Sequence, residues 1–329
     1  MAPRSDAGPG GAAPALSGDL RDRVGLVVEG TTAAEAVAAI VAAEAAGVRQ
    51  VWMTQGAVTP DTLTLFAAAA ARTTAVRLGT AIVTTYPRHP LVLAQQALAL
   101  ADLAPGRLRL GLGPSHRQTI EQVYGLPMTA PLAHLREYTA VLRGLLWDGR
   151  VAHHGRFFDI EAAPPRAPRT PLLLSTLRAG SFRLAGEVSD GALSWLCPLP
   201  YLRDVAAPAL REGAAAAGRQ APPLVAHVSV ALHDDRAVAL AAARERIRRY
   251  AASPFYARMF DAAGYPIPAD GSVPEALADS LVISGDEAAV RQGLRDALTG
   301  GVDELLVMLI PVADATVERA RLARLLAAL

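Results

Sequence analysis

The sequence contains no lysine, so all 32 of its basic residues are arginines. A chain without lysine cannot form a lysine Schiff base with a carbonyl compound, which excludes that class of covalent catalysis. Its single cysteine, Cys197, excludes disulfides within the chain and clusters of thiolate metal ligands. We interpret Cys197 as a buried residue at the end of a strand, because apolar residues and a proline surround it.

Aromatic residues and long apolar runs are also scarce. Aromatic side chains make up 5% of the sequence and hydrophobic ones 52%, so the core is expected to consist of Ala, Val and Leu. No apolar run approaches the roughly 18 residues of a membrane span. The net charge of +1 predicts neither a nucleic-acid nor a membrane partner. Residues 1–20 lack a signal-peptide layout, so we predict a disordered tail there and a cytoplasmic protein.

Short apolar segments alternate with helical segments eight times along the rest of the chain. Continuous apolar runs are typical of parallel strands that are covered on both faces. The count of eight favours a (β/α)8 TIM barrel over an open α/β sheet, which is the alternative. Residues 149–170 interrupt the alternation with a hairpin pattern and several prolines. We therefore predict one barrel domain over residues 21–329, with an insertion at about residues 149–170 after strand 4.

The most informative stretch is the fourth strand and its end, residues 107–116. The strand ends in Gly111 and Gly113, and Ser115 and His116 follow. Glycines allow a ligand to approach the backbone because they have no Cβ, although a tight turn is an alternative explanation. His116 stands where a dinucleotide-binding loop needs its third glycine, so this is not a Rossmann loop. In a barrel, these residues lie at the C-terminal face, where active sites are built.

The strand ends carry no pattern of metal ligands or paired carboxylates, which argues against metal-assisted and glycosidase chemistry. A Ser-His-acid triad stays an alternative, but Ser115 lacks the Gly-x-Ser-x-Gly elbow that would expose it. The pattern instead favours an enzyme that uses an organic cofactor. Two turns that open toward a helix, Gly111–Ser115 and Ser175–Gly180, offer backbone N–H groups, hydroxyls and Arg178 for a phosphate.

Three segments in register resemble the bacterial luciferase-like family of flavin and deazaflavin oxidoreductases: Thr85–Gln96, Gly106–His116 and Leu184–Gly191. A fourth, Leu281–Asp286, precedes the last strand. The chain is most similar to the branch that uses the deazaflavin coenzyme F420. The resemblance implies a (β/α)8 barrel, usually a homodimer, with the cofactor ring lying across the C-terminal ends of the strands.

The resemblance also implies cofactor contacts at three strand ends. A cis peptide that does not involve proline is expected at Thr80-Ala81, beside small residues that let the ring approach. The implied cofactor-binding residues are Thr80, Ala81, Thr84, Gly111, Gly113, Ser115, Thr176, Leu177, Arg178, Ala179 and Gly180. One departure concerns the last five, because this branch commonly has Ala-Leu-Gly-Pro and then a basic residue at that turn. The departure leaves FMN, or weakened cofactor binding, as alternatives.

The sequence thus predicts an F420-dependent oxidoreductase that transfers a hydride between deazaflavin C5 and a small organic substrate. It would reduce an activated C=C or C=N, or catalyse the reverse oxidation. An FMN-dependent luciferase-like monooxygenase and a barrel without redox chemistry are the alternatives. His116 and Glu29 are candidates for proton transfer, because both lie at strand ends and titrate usefully.

Four further residues are predicted to shape the substrate pocket: Trp52, Gln55, Tyr124 and Trp195. His227, in the middle of the seventh strand, is predicted to be a hydrogen-bonded interior residue.

Overall fold

The structure is a computed structural model that describes residues 18–329. Of the predicted tail over residues 1–20, residues 1–17 therefore lie outside the described residues. A 3-10 turn at Leu20–Asp22 leads into the first strand. The strands are β1 (Val24–Val27), β2 (Gln50–Met53), β3 (Arg77–Thr80), β4 (Val83–Thr84), β5 (Leu108–Gly113), β6 (Val151–His154), β7 (Asp159–Ala162), β8 (Leu172–Thr176), β9 (Gly191–Ser194), β10 (Leu224–Ala231), β11 (Val282–Ser284) and β12 (Glu304–Leu309).

The helices alternate with these strands. They are α1 (Ala33–Ala45), α2 (Thr62–Ala70), α3 (Pro90–Leu103), α4 (Pro131–Arg143), α5 (Ala179–Val188), α6 (Leu199–Tyr201), α7 (Ala207–Ala216), α8 (Arg236–Ala251), α9 (Pro254–Ala262), α10 (Glu275–Leu281), α11 (Glu287–Thr299) and α12 (Ala315–Ala327). Three π-helical turns, Thr119–Val123, Gly144–Asp148 and Leu202–Ala206, lie among them.

Eight of the strands close into a parallel barrel in the order β1, β2, β3, β5, β8, β9, β10, β12 and back to β1. The predicted (β/α)8 barrel is therefore confirmed. The predicted insertion follows the fourth barrel strand, β5, as the antiparallel hairpin β6–β7. Two short strands, β4 and β11, extend the barrel wall at the C-terminal end by pairing with β5 and β10.

Side chains at the helix starts explain several boundaries. Thr32 and Glu35 form a capping box at the start of α1. Helix α2 begins at Thr62, and the Asp61 carboxylate caps it by accepting the Thr64 N–H at 2.9 Å. An acceptor side chain at the cap position thus fixes the start of each helix.

The floor of the barrel, at the N-terminal ends of the strands, is charged. Arg109 of β5 donates from Nη1 to Glu304 Oε2 at 2.6 Å and from Nη2 to Oε1 at 2.9 Å. Arg109 also donates to Gln50 Oε1 at 3.0 Å, and its guanidinium carbon lies 5.0 Å from the ring centroid of Trp52. We call these four residues, Gln50, Trp52, Arg109 and Glu304, the barrel floor.

Trp52 has no exposed surface and fills the centre of the barrel. Glycines on the two flanking strands make room for its ring. A Cβ on Gly25 would lie 2.5 Å from Trp52 Nε1, and one on Gly79 would lie 2.3 Å from Trp52 Cε3. The prediction that Trp52 shapes the substrate pocket is therefore wrong, since its ring is enclosed by the floor and the strands.

An apolar layer lies between the floor and the C-terminal mouth of the barrel. Its residues are buried and come from five strands: Val27, Leu173, Leu193, Val225, Leu306 and Met308. Ala81, Ile82 and Trp195, which are partly buried, pack on this layer. The layer separates the floor from the mouth, so ligand chemistry is confined to the mouth.

Strand β10 changes its partner along its length. Its first residues, Leu224–Ala226, pair with β9, whereas Ser229–Ala231 pair with β11. Between β10 and β11 the chain makes an excursion over residues 232–281 that contains α8, α9 and α10. We call residues 232–281 the mouth segment, because side chains of α8 and α9 reach the residues at the barrel mouth.

Candidate active site

The mouth segment is tied to the first barrel strand by an ion pair. Arg246 of α8 donates from Nη2 to Glu29 Oε1 at 2.6 Å, and the same nitrogen lies 2.9 Å from Met308 Sδ. Glu29 lies two residues after the end of β1, and Met308 belongs to the apolar layer. The predicted proton-transfer residue Glu29 therefore lies at the mouth, with its carboxylate held by a guanidinium.

His116 follows β5 and also meets the mouth segment. Its ring centroid lies 5.7 Å from that of Tyr256 on α9. Ser115, directly before it, has a φ of 62° and turns the chain at the strand end. Burial lowers the pKa of His116, so its imidazole is neutral at pH 7. A neutral imidazole at the mouth has one nitrogen that can accept a proton and one that can donate.

A second histidine lies deeper in the mouth, beneath Trp195. The ring centroids of His227 and Trp195 are 3.9 Å apart with an interplanar angle of 34°. His227 is 2% exposed, and neither of its ring nitrogens has a hydrogen-bond partner among residues 18–329. Burial lowers the pKa of His227 to about 3. The prediction of a hydrogen-bonded interior histidine is therefore wrong: the residue is interior, but its nitrogens are unpaired.

Thr80 and Gly111 join the third and fourth barrel strands. The Thr80 hydroxyl donates to the Gly111 carbonyl and accepts from the Gly111 N–H, both at 2.8 Å. A Cβ at Gly111 would lie 2.0 Å from the Thr80 carbonyl oxygen. Both residues are buried and have a role in the wall, and their cofactor contact stays a prediction. The cis peptide joins Ala81 and Ile82, one residue beyond the predicted Thr80-Ala81.

The neighbouring candidates divide between the wall and the mouth. Thr84 is 5% exposed within β4, and a Cβ on Gly113 would lie 2.2 Å from Ser175 Oγ. Both residues thus pack in the wall, and their cofactor contacts stay predictions. Ala81 and Ser115 are partly exposed. These two remain available to a ligand at the mouth.

The turn after β8 ends in free backbone N–H groups. The Thr176 hydroxyl donates to the Leu193 carbonyl at 3.0 Å, and Leu177 is 5% exposed. Both residues thus contribute to packing, and their cofactor contacts stay predictions. The N–H groups of Leu177 and Arg178 donate to Ser181 Oγ at 3.0 and 3.2 Å. Sequence reasoning missed Ser181, although a serine three residues into a helix is a local signal.

Ala179 and Gly180 are the first two residues of α5, and their N–H groups have no acceptor within the described part of the chain. The exposed side chain of Arg178 lies beside this helix start, with its guanidinium carbon 6.0 Å from the ring centroid of Phe255. A helix N-terminus with free N–H groups and an arginine favours an anion, especially a phosphate. We call Arg178, Ala179 and Gly180 the anion cradle.

The last three pocket candidates have different surroundings. Gln55 accepts from the Thr62 N–H at 2.7 Å and donates to the Gly56 carbonyl at 3.0 Å. Its amide therefore holds the loop before α2 instead of facing a substrate as predicted. Tyr124 follows a π-helical turn and is partly exposed, and Trp195 is partly exposed over His227.

The described residues also bear on metal binding and on membrane insertion. Over residues 18–329, no group of three or more His, Cys, Asp or Glu side chains is arranged to hold a metal ion. No helix in the same range is long and apolar enough to cross a membrane.

A closed parallel barrel with an anion cradle and titratable side chains at its C-terminal mouth defines a (β/α)8 barrel of the enzyme type. Residues 18–304 match the luciferase-like monooxygenase family, and the chain belongs to that family. The resemblance given by the sequence motifs is therefore confirmed.

Named relatives include proteins that use coenzyme F420. The chain is 34% identical over 209 residues to the F420-dependent glucose-6-phosphate dehydrogenase of Beutenbergia cavernae, which covers 59% of this chain and 61% of the relative. It is 29% identical over 206 residues to the 5,10-methylenetetrahydromethanopterin reductase of Methanolobus tindarius, covering 61% of this chain and 63% of the relative. The matched region thus spans less than two thirds of either relative.

A solved structure shares the fold over a larger part of this chain than the two relatives match in sequence. The coenzyme F420-dependent tetrahydromethanopterin reductase from Methanopyrus kandleri superposes with a TM-score of 0.79 and 21% identity. The likeness covers 93% of this chain and 97% of that one. At this identity the likeness concerns the barrel and its topology.

Proposed function

We propose that this protein is an F420-dependent oxidoreductase that transfers a hydride between deazaflavin C5 and a small organic substrate. The substrate would be an activated C=C or C=N compound, or an alcohol or amine in the reverse direction. The observation that carries the proposal is the anion cradle at the mouth of a luciferase-like barrel. The F420-dependent relatives support the same cofactor. The proposal includes a homodimer in the cytoplasm, which light scattering and cell fractionation test.

The residues at the mouth fit such a cofactor. Arg178 and the free N–H groups of Ala179 and Gly180 would hold the phosphate of its tail. Ala81 and Ser115 would contact the ring, because both are partly exposed at the mouth and Ala81 packs on the apolar layer. When bound, the deazaflavin supplies a two-electron hydride carrier that does not readily activate oxygen.

The chain itself would exclude water and handle the proton. Because the His116 imidazole is neutral at pH 7, it can accept a proton from an alcohol or amine at a ring nitrogen. In the reductive direction the same nitrogen returns the proton. Arg246 fixes the Glu29 carboxylate at the strand end and brings the mouth segment across the barrel. Trp195 and Tyr124 would shape the substrate pocket.

The family's description as luciferase-like monooxygenases favours one second candidate, an FMN-dependent monooxygenase at the same site. An experiment that separates the two adds F420 or FMN to the full chain, passes each mixture through gel filtration and records the spectrum of the protein peak. We expect F420 to stay with the protein. Retention of FMN alone would favour the second candidate, and retention of neither would favour a barrel without redox chemistry.

Arg178→Ala is expected to raise the Kd for F420 about 10- to 100-fold, the effect of losing one charge-assisted hydrogen bond. Isothermal titration calorimetry measures the Kd directly. The matched control is Arg183→Ala, because Arg183 lies on the same helix but pairs with Glu212 away from the cradle. Equal Kd values for the two variants would remove Arg178 from the cofactor site.

His116→Ala is expected to lower turnover about 100-fold, in the range for loss of a general acid-base residue, and to leave the Kd for F420 within about twofold. Turnover is followed through the absorbance of the deazaflavin with a substrate found by screening alcohols, amines, enones and imines. An unchanged turnover would exclude His116 as the proton-transfer residue. A raised Kd would mean that His116 binds the cofactor instead.

A further inference from the structure

The wall of the barrel has a break in its pairing beside His227. Strand β10 pairs with β9 up to Ala226 and with β11 from Ser229 onward. His227 and the residue after it pair only with β12, on the other side. A cavity of about 130 Å³ lies at this break, and its lining includes His227, Cys197, Asp279 and Ser280. The cavity thus lies in the barrel wall, at the point where β10 pairs with a strand on only one side.

His227 has one side toward the cavity and another toward the mouth. It lines the cavity, and its ring stacks on Trp195 at the mouth. Neither ring nitrogen has a hydrogen-bond partner among residues 18–329, although only 2% of the residue is exposed. Buried polar groups are nearly always satisfied by protein or by water. The cavity volume is sufficient for several water molecules, which would satisfy the imidazole.

The other end of the cavity is polar and open to solvent. Asp279 is exposed and forms an ion pair with Arg236. The Ser280 hydroxyl donates to the Leu277 carbonyl at 2.8 Å, which leaves its oxygen free to accept from water. Cys197 is the remaining polar group, and burial raises the pKa of its thiol to about 12, so the thiol stays neutral. The lining therefore leads from the Asp279–Arg236 ion pair at the solvent end to His227 past neutral groups. The other residues of the lining are apolar: Leu199, Val228, Leu281, Val282 and Ile283.

A substrate that receives a hydride must also receive a proton on the neighbouring atom, and oxidation releases both. Bound ligands close the mouth to water, so the proton needs another route. We propose that His227 is a proton-relay residue, a role that rests on the proposed hydride transfer. In reduction, a proton from bulk solvent would pass through the cavity water to one ring nitrogen, so that the water itself is left unchanged. The other ring nitrogen would release its proton toward the mouth and restore the proton that His116 gives to the substrate. One N–H bond forms as the other breaks, and in oxidation the direction reverses.

The charges around His227 agree with a relay by the neutral ring. The Arg246 guanidinium on the mouth side and burial together hold the pKa of the imidazole low, so a long-lived imidazolium is disfavoured. The acidic groups near the path, Glu29 and Asp279, are both paired with arginines. The ring therefore exchanges protons without storing one.

The path from solvent is tested without any cofactor. The protein is labelled with ¹⁵N-histidine, and His227→Gln identifies the His227 signals among the seven histidines. We expect the ring N–H to exchange with water, and Ser280→Leu, which fills the cavity, to slow that exchange at least tenfold. The matched control is Ala276→Leu, on the exposed side of α10. Should Ser280→Leu not fold, Ile283→Phe fills the cavity from β11. An exchange rate that neither variant changes would overturn the path.

The relay itself is tested with His227→Ala. The Kd for F420 is measured first in the wild-type protein. Failure of the wild type to bind F420 would contradict the proposed function, whereas the exchange experiment would still test the path from solvent. With F420 binding intact, we expect His227→Ala to lose at least tenfold in turnover at an unchanged Kd, and added imidazole to restore turnover. Unchanged turnover, or a loss that imidazole does not restore, would overturn the relay.

Discussion

Glu304→Leu is expected to lower the free energy of unfolding by about 3–5 kcal/mol, because it leaves Arg109 as an unpaired charge in the barrel floor. The Glu304 side chain is 4% exposed, and its two oxygens accept separate bonds from the Arg109 guanidinium. Water cannot replace the lost carboxylate at that depth. Urea unfolding followed by circular dichroism measures the loss.

Two further variants separate the charge effect from packing. The double variant Arg109→Met with Glu304→Leu removes both charges and is expected to recover most of the loss, as buried ion pairs often exchange for apolar residues. Glu212→Leu removes a carboxylate from the exposed pair with Arg183 and is expected to change stability little. A loss for Glu304→Leu as small as that of Glu212→Leu would mean that the floor pair contributes nothing to folding.

Lowering the pH from 6.5 to 4.5 is expected to cost stability through His227 alone, at a rate that approaches about 1.4 kcal/mol per pH unit once the pH lies well below 6.5. The imidazole titrates near 6.5 in the unfolded chain and at about 3 in the fold. Within this window the unfolded state binds a proton that the folded state does not, so stability rises with pH and is lost as pH falls. Burial lowers the pKa of His134 to about 4, which acts in the same direction.

Urea titrations at several pH values between 7 and 4.5 measure this dependence, and comparison with a variant cancels the contribution of the carboxylates that gain protons toward pH 4.5. His227→Gln removes one titrating group, so its stability should fall less steeply with acid, by a difference that approaches about 1.4 kcal/mol per pH unit. His89→Gln is the matched control, since His89 is exposed at the start of α3. Equal slopes for wild type and His227→Gln would mean that the His227 ring is protonated in the folded protein.

The sequence sufficed for the barrel because its signals are local. Eight apolar segments, each followed by a helical one, predict the closed sheet, and the capping box at Thr32 and Glu35 fixes a helix start within four residues. The anion cradle could also be predicted, because Arg178, Ala179 and Gly180 are adjacent in the chain. Predictions of this kind depend on neighbours along the sequence.

The errors concern contacts between distant residues. The sequence suggested that the absence of a Cβ at Gly111 makes room for a ligand. In the structure it makes room for the carbonyl oxygen of Thr80, 31 residues earlier. Strand alternation places Trp52 inside the barrel without giving its depth. A signal was nevertheless present, since the small residues Gly25 and Gly79 lie opposite it on the flanking strands.

The mouth was the hardest part to predict for the same reason. Arg246 meets Glu29 across 217 residues of sequence, and no local pattern in α8 indicates that partner. The unpaired nitrogens of His227 follow from the change of partner along β10, which depends on the register of three strands. Such features require the assembled barrel.

The mouth segment has both of its ends attached to one strand, because it leaves β10 at Ala231 and returns to pair with β10 as β11. Its contacts with Glu29 and His116 come from Arg246 and Tyr256, within a single uninterrupted stretch. The barrel floor receives no side chain from that stretch. A change of sequence within residues 232–281 would therefore alter the mouth while leaving the contacts of the barrel floor as they are.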